Sequence, residues 1–171
     1  SIIDPVSNKI ILARDRLGVK PLYYSYHKKD LIIASEQKAI LRSSEHTPTL
    51  NSASLEDYFL YQTILGKQTL FKDIFKVKNA QVLIFDLKTL KIVNQHSINP
   101  KPENLSFAKY KDYKEYIRQL LMQQTFDALN TDLDITFQLS GGIDSNLMLG
   151  IANHFFPEKT KYTVSSTIEN N

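Results

Sequence analysis

Over residues 1–36, short apolar runs alternate with clusters of turn-forming residues, a pattern that predicts brief β-strands. Ile2-Ile3 opens the first run, Asp4-Pro5-Val6-Ser7-Asn8 turns it, and Lys9-Ile10-Ile11-Leu12-Ala13-Arg14 reads as the next strand. Residues 22–26 and 31–35 flank His27-Lys28-Lys29-Asp30, a connection of hairpin length. Residues 36–41 predict a short helical turn. Residues 54–60 predict a helix with Ser54 as N-cap and Asp57 three positions on, where a capping box places Glu. Residues 80–85 and 91–95 predict a further hairpin around Asp86-Leu87-Lys88-Thr89.

The pattern then changes. Ile98-Asn99-Pro100-Lys101-Pro102-Glu103-Asn104 carries two prolines and few apolar residues, and reads as a linker. Beyond it, Tyr113, Tyr116, Ile117, Leu120, Leu121, Gln124 and Ala128 recur at three- and four-residue steps, which predicts a helix over 110–130 with this stripe facing a core. Residues 134–139 predict a strand, a glycine-containing loop follows, and a helix is expected from about Asn146 to Phe156 before a strand over 161–165. Strand, loop, helix and strand in that order open a parallel α/β sheet.

Composition narrows the function classes. With 42% hydrophobic and 23% charged residues the chain has the makeup of an ordinary folded protein. Its net charge of +3 is dispersed rather than gathered into a groove or patch, so neither nucleic acid nor a membrane surface is expected as a partner. The absence of cysteine excludes a disulfide framework, a thiolate metal site and a cysteine nucleophile within these residues. His27, His46, His96 and His154 show no metal-ligand spacing. No apolar run approaches the roughly 20 residues that span a bilayer, and a cytoplasmic protein is the expectation. The chain opens on Ser1 already in a strand-like run and stops at Asn170-Asn171 just after another strand, so it reads as a fragment.

The segment that carries chemistry is Leu139-Ser140-Gly141-Gly142-Ile143-Asp144-Ser145. Paired glycines between a strand and a helix let the backbone approach a ligand closely. Free N–H groups of the turn and the first helical turn, the helix dipole, and the hydroxyls of Ser140 and Ser145 together form a cradle for a phosphate or pyrophosphate. The lysine of a GxxxxGK[ST] loop is missing. Asp144 would repel a bare polyphosphate, so it is expected to act through bound Mg²⁺. The competing reading makes Asp144 or Ser145 a plain N-cap and the glycines a tight turn; the complete string between strand and helix favours the cradle.

SGGIDS resembles the pyrophosphate-binding loop of the N-type ATP pyrophosphatases. Residue by residue, that resemblance assigns phosphate contacts to Ser140, Gly141, Gly142, Ile143, Asp144 and Ser145. It sets Gln138 beside the nucleotide, where the family usually has an aliphatic residue, and Val164 on the adenine side. Three further landmarks select among the family's members. Arg14-Asp15-Arg16-Leu17-Gly18-Val19-Lys20-Pro21-Leu22-Tyr23-Tyr24, Ala34-Ser35-Glu36-Gln37-Lys38-Ala39-Ile40-Leu41 and Thr69-Leu70-Phe71-Lys72-Asp73-Ile74 are similar, in order, to segments of the glutaminase domain of glutamine-dependent asparagine synthetases. Physically these read as scaffold: Gly18 allows a positive φ, Pro21 sets entry to the next strand, and Arg14, Asp15, Arg16 and Lys20 are expected to pair with one another or with Glu36. Asn79-Ala80 departs from the family's Pro-Gly.

The resemblance implies an α/β and α+β architecture. Residues 1–98 would be the C-terminal portion of a class II glutamine amidotransferase domain of the αββα N-terminal-nucleophile (Ntn) type. Residues 99–109 would be a linker, and 110–171 the first strand–loop–helix–strand of a parallel-sheet ATP pyrophosphatase domain. It further implies asparagine synthesis from aspartate, with ammonia from glutamine, through a β-aspartyl-adenylate with release of AMP and pyrophosphate. ATP and Mg²⁺ are then required; glutamine, aspartate and ATP are the small-molecule partners, and a homodimer of the full-length enzyme is compatible. The catalytic N-terminal cysteine would lie upstream, so no catalytic residue is expected here and the 171 residues alone should support neither activity. Two alternatives stay open: an amide-forming synthetase with another acceptor, of the β-lactam synthetase or sugar amidotransferase type, and a catalytically dead binding or regulatory remnant.

Overall fold

A computed structural model of the chain describes residues 1–27, 29–43, 48–100, 105–159 and 161–166. Lys28 of the expected hairpin, His46, positions 101–104 of the expected linker and positions 167–171 lie outside the described residues. The chain divides into two compact units, Ser1–Pro102 and Glu103–Asn171.

In the first unit the elements are β1 (Ile2–Asp4), β2 (Lys9–Ala13), β3 (Tyr23–His27), β4 (Asp30–Ala34), α1 (Gln37–Ser43), α2 (Ser52–Tyr61), β5 (Ile74–Lys76), β6 (Gln81–Asp86) and β7 (Ile92–Ser97). They form two antiparallel sheets, ordered β1-β2-β6-β7 and β4-β3-β5. Period-2 alternation decides what is buried. Ile10 and Leu12 of β2 stand opposite Phe85 and Leu83 of β6, so all four share one face. That face meets Tyr24 of β3 and Val77 just after β5, and these six residues are the buried apolar cluster of the unit. Each large side chain buried there contributes about 1.5–3 kcal/mol. On the other side of the second sheet, Ile40 of α1 and Ile74 of β5 are fully buried. Thr69, from the third landmark, is buried beside them, its hydroxyl bonded to the carbonyls of Phe71 and Ile74 and to the Phe71 N–H.

The second unit contains α3 (Tyr110–Leu129), β8 (Ile135–Gln138), α4 (Ile143–Phe155) and β9 (Lys161–Val164), with β8 and β9 paired in parallel. Phe126 of α3 stacks on Phe156 and meets Phe155 edge-on, with centroids 5.4 and 5.3 Å apart. The Lys159 ammonium donates to the carbonyls of Leu129 and Thr131, satisfying the C-terminal end of α3. Among the described residues no helix is long and apolar enough to cross a membrane.

Three local expectations are corrected. Ser54 is not an N-cap: α2 begins two residues earlier, Asn51 is its N-cap, and Ser54 is buried inside the first turn. The start is set by tertiary pairing, since the Asn51 N–H donates to the Leu70 carbonyl while the Asn51 carbonyl takes the first helical bonds. Asp57 accepts the N–H of Leu65 instead of closing a capping box. The α3 stripe is the second correction: Tyr113, Leu120 and Leu121 are 47%, 43% and 40% exposed, and the buried residues are Thr125 and Leu129. Within its unit α3 packs against α4 and, through Tyr113 and Tyr116, against the ring of Phe107, which leaves much of the stripe exposed. The third concerns α4, which starts at Ile143, three residues ahead of the expected Asn146.

Candidate functional site

The glycine loop is built at the end of the parallel ladder. Gln138 and Val164 are register partners, and the Leu139 N–H donates to the Val164 carbonyl at 2.9 Å, carrying the pairing one residue beyond β8. The chain then turns through Gly141, whose φ of +80° lies in the left-handed region that favours glycine, and whose missing Cβ would point into open space. Gly142 is the N-cap of α4, with extended backbone and no side-chain cap. The first helical bond runs from the Asn146 N–H to the Gly142 carbonyl at 3.3 Å, so the N–H groups of Ile143, Asp144 and Ser145 precede the helical ladder and have no intrahelical acceptor.

Hydroxyls close the turn. The Ser140 Oγ accepts the Gly142 N–H at 3.4 Å and lies 3.4 Å from the Ser145 Oγ, which donates to the Gly142 carbonyl at 3.2 Å. The Asn146 side-chain amide donates to that same carbonyl at 2.8 Å. Ser140 to Ser145 therefore form one loop, with Gln138 and Val164 facing each other at its foot, and most of it is exposed. Asp144 and Ser145 are not N-caps, because the helix begins before them. Asp144 sits in the first turn of α4, where a carboxylate complements the dipole.

The loop fits the group that the sequence implies. Open space at the Gly141 Cβ position and three N–H groups without helical partners suit phosphate oxygens. Among the described residues no group of three or more His, Cys, Asp or Glu side chains is placed to hold a metal by itself. Mg²⁺, which commonly takes one or two carboxylates together with phosphates and water, asks only for Asp144 here. A groove of about 690 Å³ between α3 and α4 lies beside this loop rather than in it; Asn146 lines it, and none of residues 138–145 does. Asn146 is the participant that sequence reading missed. Its one legible signal is a poor helix former four residues after Gly142, the spacing at which a side chain reaches back to a helix N-cap carbonyl.

In the first unit the landmark at residues 14–20 is a tightly bonded turn. Arg14 donates from Nε to the Lys20 carbonyl (3.2 Å), from Nη1 to Val77 (2.9 Å) and from Nη2 to Gly18 (2.7 Å). The Asp15 carboxylate accepts the N–H groups of Val19 and Lys20, both at 2.9 Å. Arg14 and Asp15 thus bond to backbone groups instead of to Arg16, Lys20 or Glu36, and Glu36 pairs with Lys38. An ion pair between side chains would leave these turn amides and carbonyls without partners, and backbone groups of a constrained turn demand them.

The Lys20 N–H, then that of Val19, holds the Asp15 carboxyl below its ordinary value of 3.8. Ser7 does the same for Asp4, and Thr89 for Asp86. Folded-state values below the unfolded ones stabilise the fold above the unfolded pKa, and that stabilisation disappears as pH falls through the folded value. Thermal stability of the chain is therefore expected to drop as pH is lowered from about 4, the ordinary carboxylate range. In Asp15→Asn the drop should be shallower; an equal slope in melting temperature against pH would show that Asp15 plays no part.

The glutamine amidotransferase domain family model matches residues 1–96. The chain is 31% identical over 170 residues to a putative glutamine-hydrolysing asparagine synthetase 2 of Methanocaldococcus jannaschii, covering 98% of this chain and 33% of that protein. It is 29% identical to glutamine-hydrolysing asparagine synthetase 3 of Bacillus subtilis, covering 100% of this chain and 28% of the other. Amidase chry2 of Gibberella zeae is 30% identical over 162 residues, covering 92% and 23%. The chain spans about a third or less of the length of these relatives.

Proposed function

Residues 1–96 make this chain a member of the glutamine amidotransferase domain family, and from that premise we propose that it serves a glutamine-dependent asparagine synthetase. In this reading ammonia released from glutamine is joined to the β-carboxylate of aspartate after ATP has activated it. The first unit, with its boundary near residue 98, contributes to the glutaminase domain of N-terminal-nucleophile type. Residues from about 110 onward open an ATP pyrophosphatase domain. The observation that carries the reading is the parallel strand–loop–helix–strand with Ser140–Ser145 at its turn, in a chain similar to asparagine synthetases over nearly all its length.

Each residue of the loop then has a task. The N–H groups of Ile143, Asp144 and Ser145 and the hydroxyls of Ser140 and Ser145 hold phosphate oxygens, and Gly141 and Gly142 leave room for them. Gln138 and Val164 border the nucleotide on the side of the ladder. Asp144 would hold Mg²⁺, which when bound would supply charge neutralisation for phosphate oxygens.

The test is an assay of the intact protein that carries this chain, with ATP, Mg²⁺, aspartate and glutamine, following pyrophosphate and asparagine together. Aspartate-dependent pyrophosphate release matched by asparagine is expected, reduced about tenfold or more by Asp144→Ala, the scale seen when a group that supports a bound metal is removed. A second reading, an amide-forming enzyme with a different acceptor, stays open because the chain is also 30% identical to a protein that is not named an asparagine synthetase. Pyrophosphate release that ignores aspartate and follows another carboxylate would select it. No ATP binding at all would leave the remnant.

A further inference from the structure

We propose that Asn146 is a positioning residue of the phosphate loop: its side-chain amide holds the Gly142 carbonyl along α4, so that N–H donors rather than a carbonyl oxygen face the anion. The inference rests on the reading of residues 140–145 as a phosphate loop. Three donors converge on the Gly142 oxygen: Asn146 Nδ2 at 2.8 Å, Ser145 Oγ at 3.2 Å and the Asn146 N–H at 3.3 Å. The side-chain amide of Asn146 makes the shortest of the three. A cradle of this kind depends on which way its peptide groups point, because a carbonyl oxygen turned toward a phosphate repels it as strongly as an N–H attracts it. Packing does not fix that orientation here. Gly141 has nothing within 4 Å of its Cβ position, and the nearest atom to that of Gly142 is the Ser140 hydroxyl at 3.4 Å. With no side chains to wedge these peptides, hydrogen bonds orient the Gly142 carbonyl, and the Asn146 amide adds the shortest contact to those from the Ser145 hydroxyl and the first helical N–H.

The choice of residue agrees. Asn146 is the fourth residue of α4, inside the helix, where asparagine is a poorer helix former than alanine because its side chain competes for backbone groups. A residue serving helix stability alone would therefore be improved by alanine. Stability and ligand affinity are expected to move in opposite directions in Asn146→Ala.

The experiment titrates the intact protein that carries this chain with inorganic pyrophosphate in the presence of Mg²⁺, by calorimetry, alongside thermal melts. Asn146→Ala should weaken binding about fivefold, the equilibrium equivalent of one hydrogen bond, with an unchanged or higher melting temperature. Asn146→Ser, whose hydroxyl can bond the carbonyl four residues back, should stay within about twofold of the unaltered chain. Asn153→Ala, an exposed change of the same kind on the same helix, should bind as the unaltered chain does. Equal affinity for Asn146→Ala would overturn the inference and leave the phosphate loop intact. Weakening by Asn146→Ala with a lowered melting temperature and no rescue by serine would mark a structural role and also overturn it. Failure of the unaltered chain to bind pyrophosphate would overturn the phosphate-loop reading itself, and the role of Asn146 with it.

Discussion

Phe85→Ala is expected to cost the first unit about 3–5 kcal/mol, the range for removing a fully buried aromatic ring from a packed core. Phe85 has no exposed surface, and it stands at the point where the two sheets meet. Its ring centroid lies 5.7 Å from that of Tyr24 and 6.2 Å from that of Tyr26, both on the opposing sheet. Its register partner Ile10 belongs to the same cluster, so no neighbour is free to swing into the vacated space without leaving its own contacts. Domains of this size are stable by about 5–15 kcal/mol in total, so the loss would be a large share of what holds the unit together. The chain has no tryptophan, which makes far-ultraviolet circular dichroism in urea the practical readout. Val6→Ala, at a side chain that is 97% exposed, should lie within about 0.5 kcal/mol of the unaltered chain. A cost below about 1.5 kcal/mol for Phe85→Ala would mean that the two sheets do not share this core.

Gly18→Ala is expected to cost about 2–3 kcal/mol, the sum of a left-handed backbone penalty and one lost hydrogen bond. Gly18 has φ +71°, and a Cβ built there would lie 2.0 Å from Oδ1 and 2.5 Å from Cγ of Asn79. Asn79 would have to move, breaking the bond from its Nδ2 to the Leu17 carbonyl. The turn offers little slack, since Arg14 grips the Gly18 carbonyl and the Gly18 N–H donates to Asp15. The two components separate in a double-mutant cycle. In an Asn79→Ala background the cost of Gly18→Ala should fall to about 1–2 kcal/mol, the backbone penalty alone. The same cost in both backgrounds would show that no clash exists. A cost below about 1 kcal/mol in the unaltered chain would show that the backbone is not held left-handed.

Much of the fold was legible from local pattern. The strands over 9–14, 22–26, 31–35 and 80–85, the hairpin connections, the long helix from Tyr110 and the strand before the glycine loop appear close to where alternation and turn residues put them. Those signals are local: period-2 burial and turn chemistry act within a few residues, so they survive being read without the rest of the chain. The left-handed turn at Gly18 was legible for the same reason. Ala80 shows the converse. It is not a glycine and still adopts φ +55°, fully buried, with its N–H bonded to the Asp15 carbonyl. A glycine pattern would have marked that turn; alanine hides it.

What tertiary structure decided were boundaries, partners and exposure. The start of α2 follows the pairing of Asn51 with Leu70, two segments brought together at the isolated bridge between Leu50 and Phe71 rather than by any capping side chain. The charged residues of the 14–20 turn bond to carbonyls and amides, because backbone groups that a turn leaves unpaired are closer and more demanding than distant side chains. The helical period of α3 correctly told of a helix but not of how much of its apolar stripe is covered, since burial depends on what packs against it and α4 reaches only part. In the glycine loop, residue types alone named Ser140 to Ser145, whereas the contribution of Asn146 needed the path of the chain. By itself the sequence determined which residue types gather in the loop and the order of strands and helices. Only the three-dimensional arrangement decided which backbone carbonyl is tethered and by what, because orientation at a pair of glycines is left open by sterics and depends on hydrogen bonds that form only once α4 has its start at Ile143.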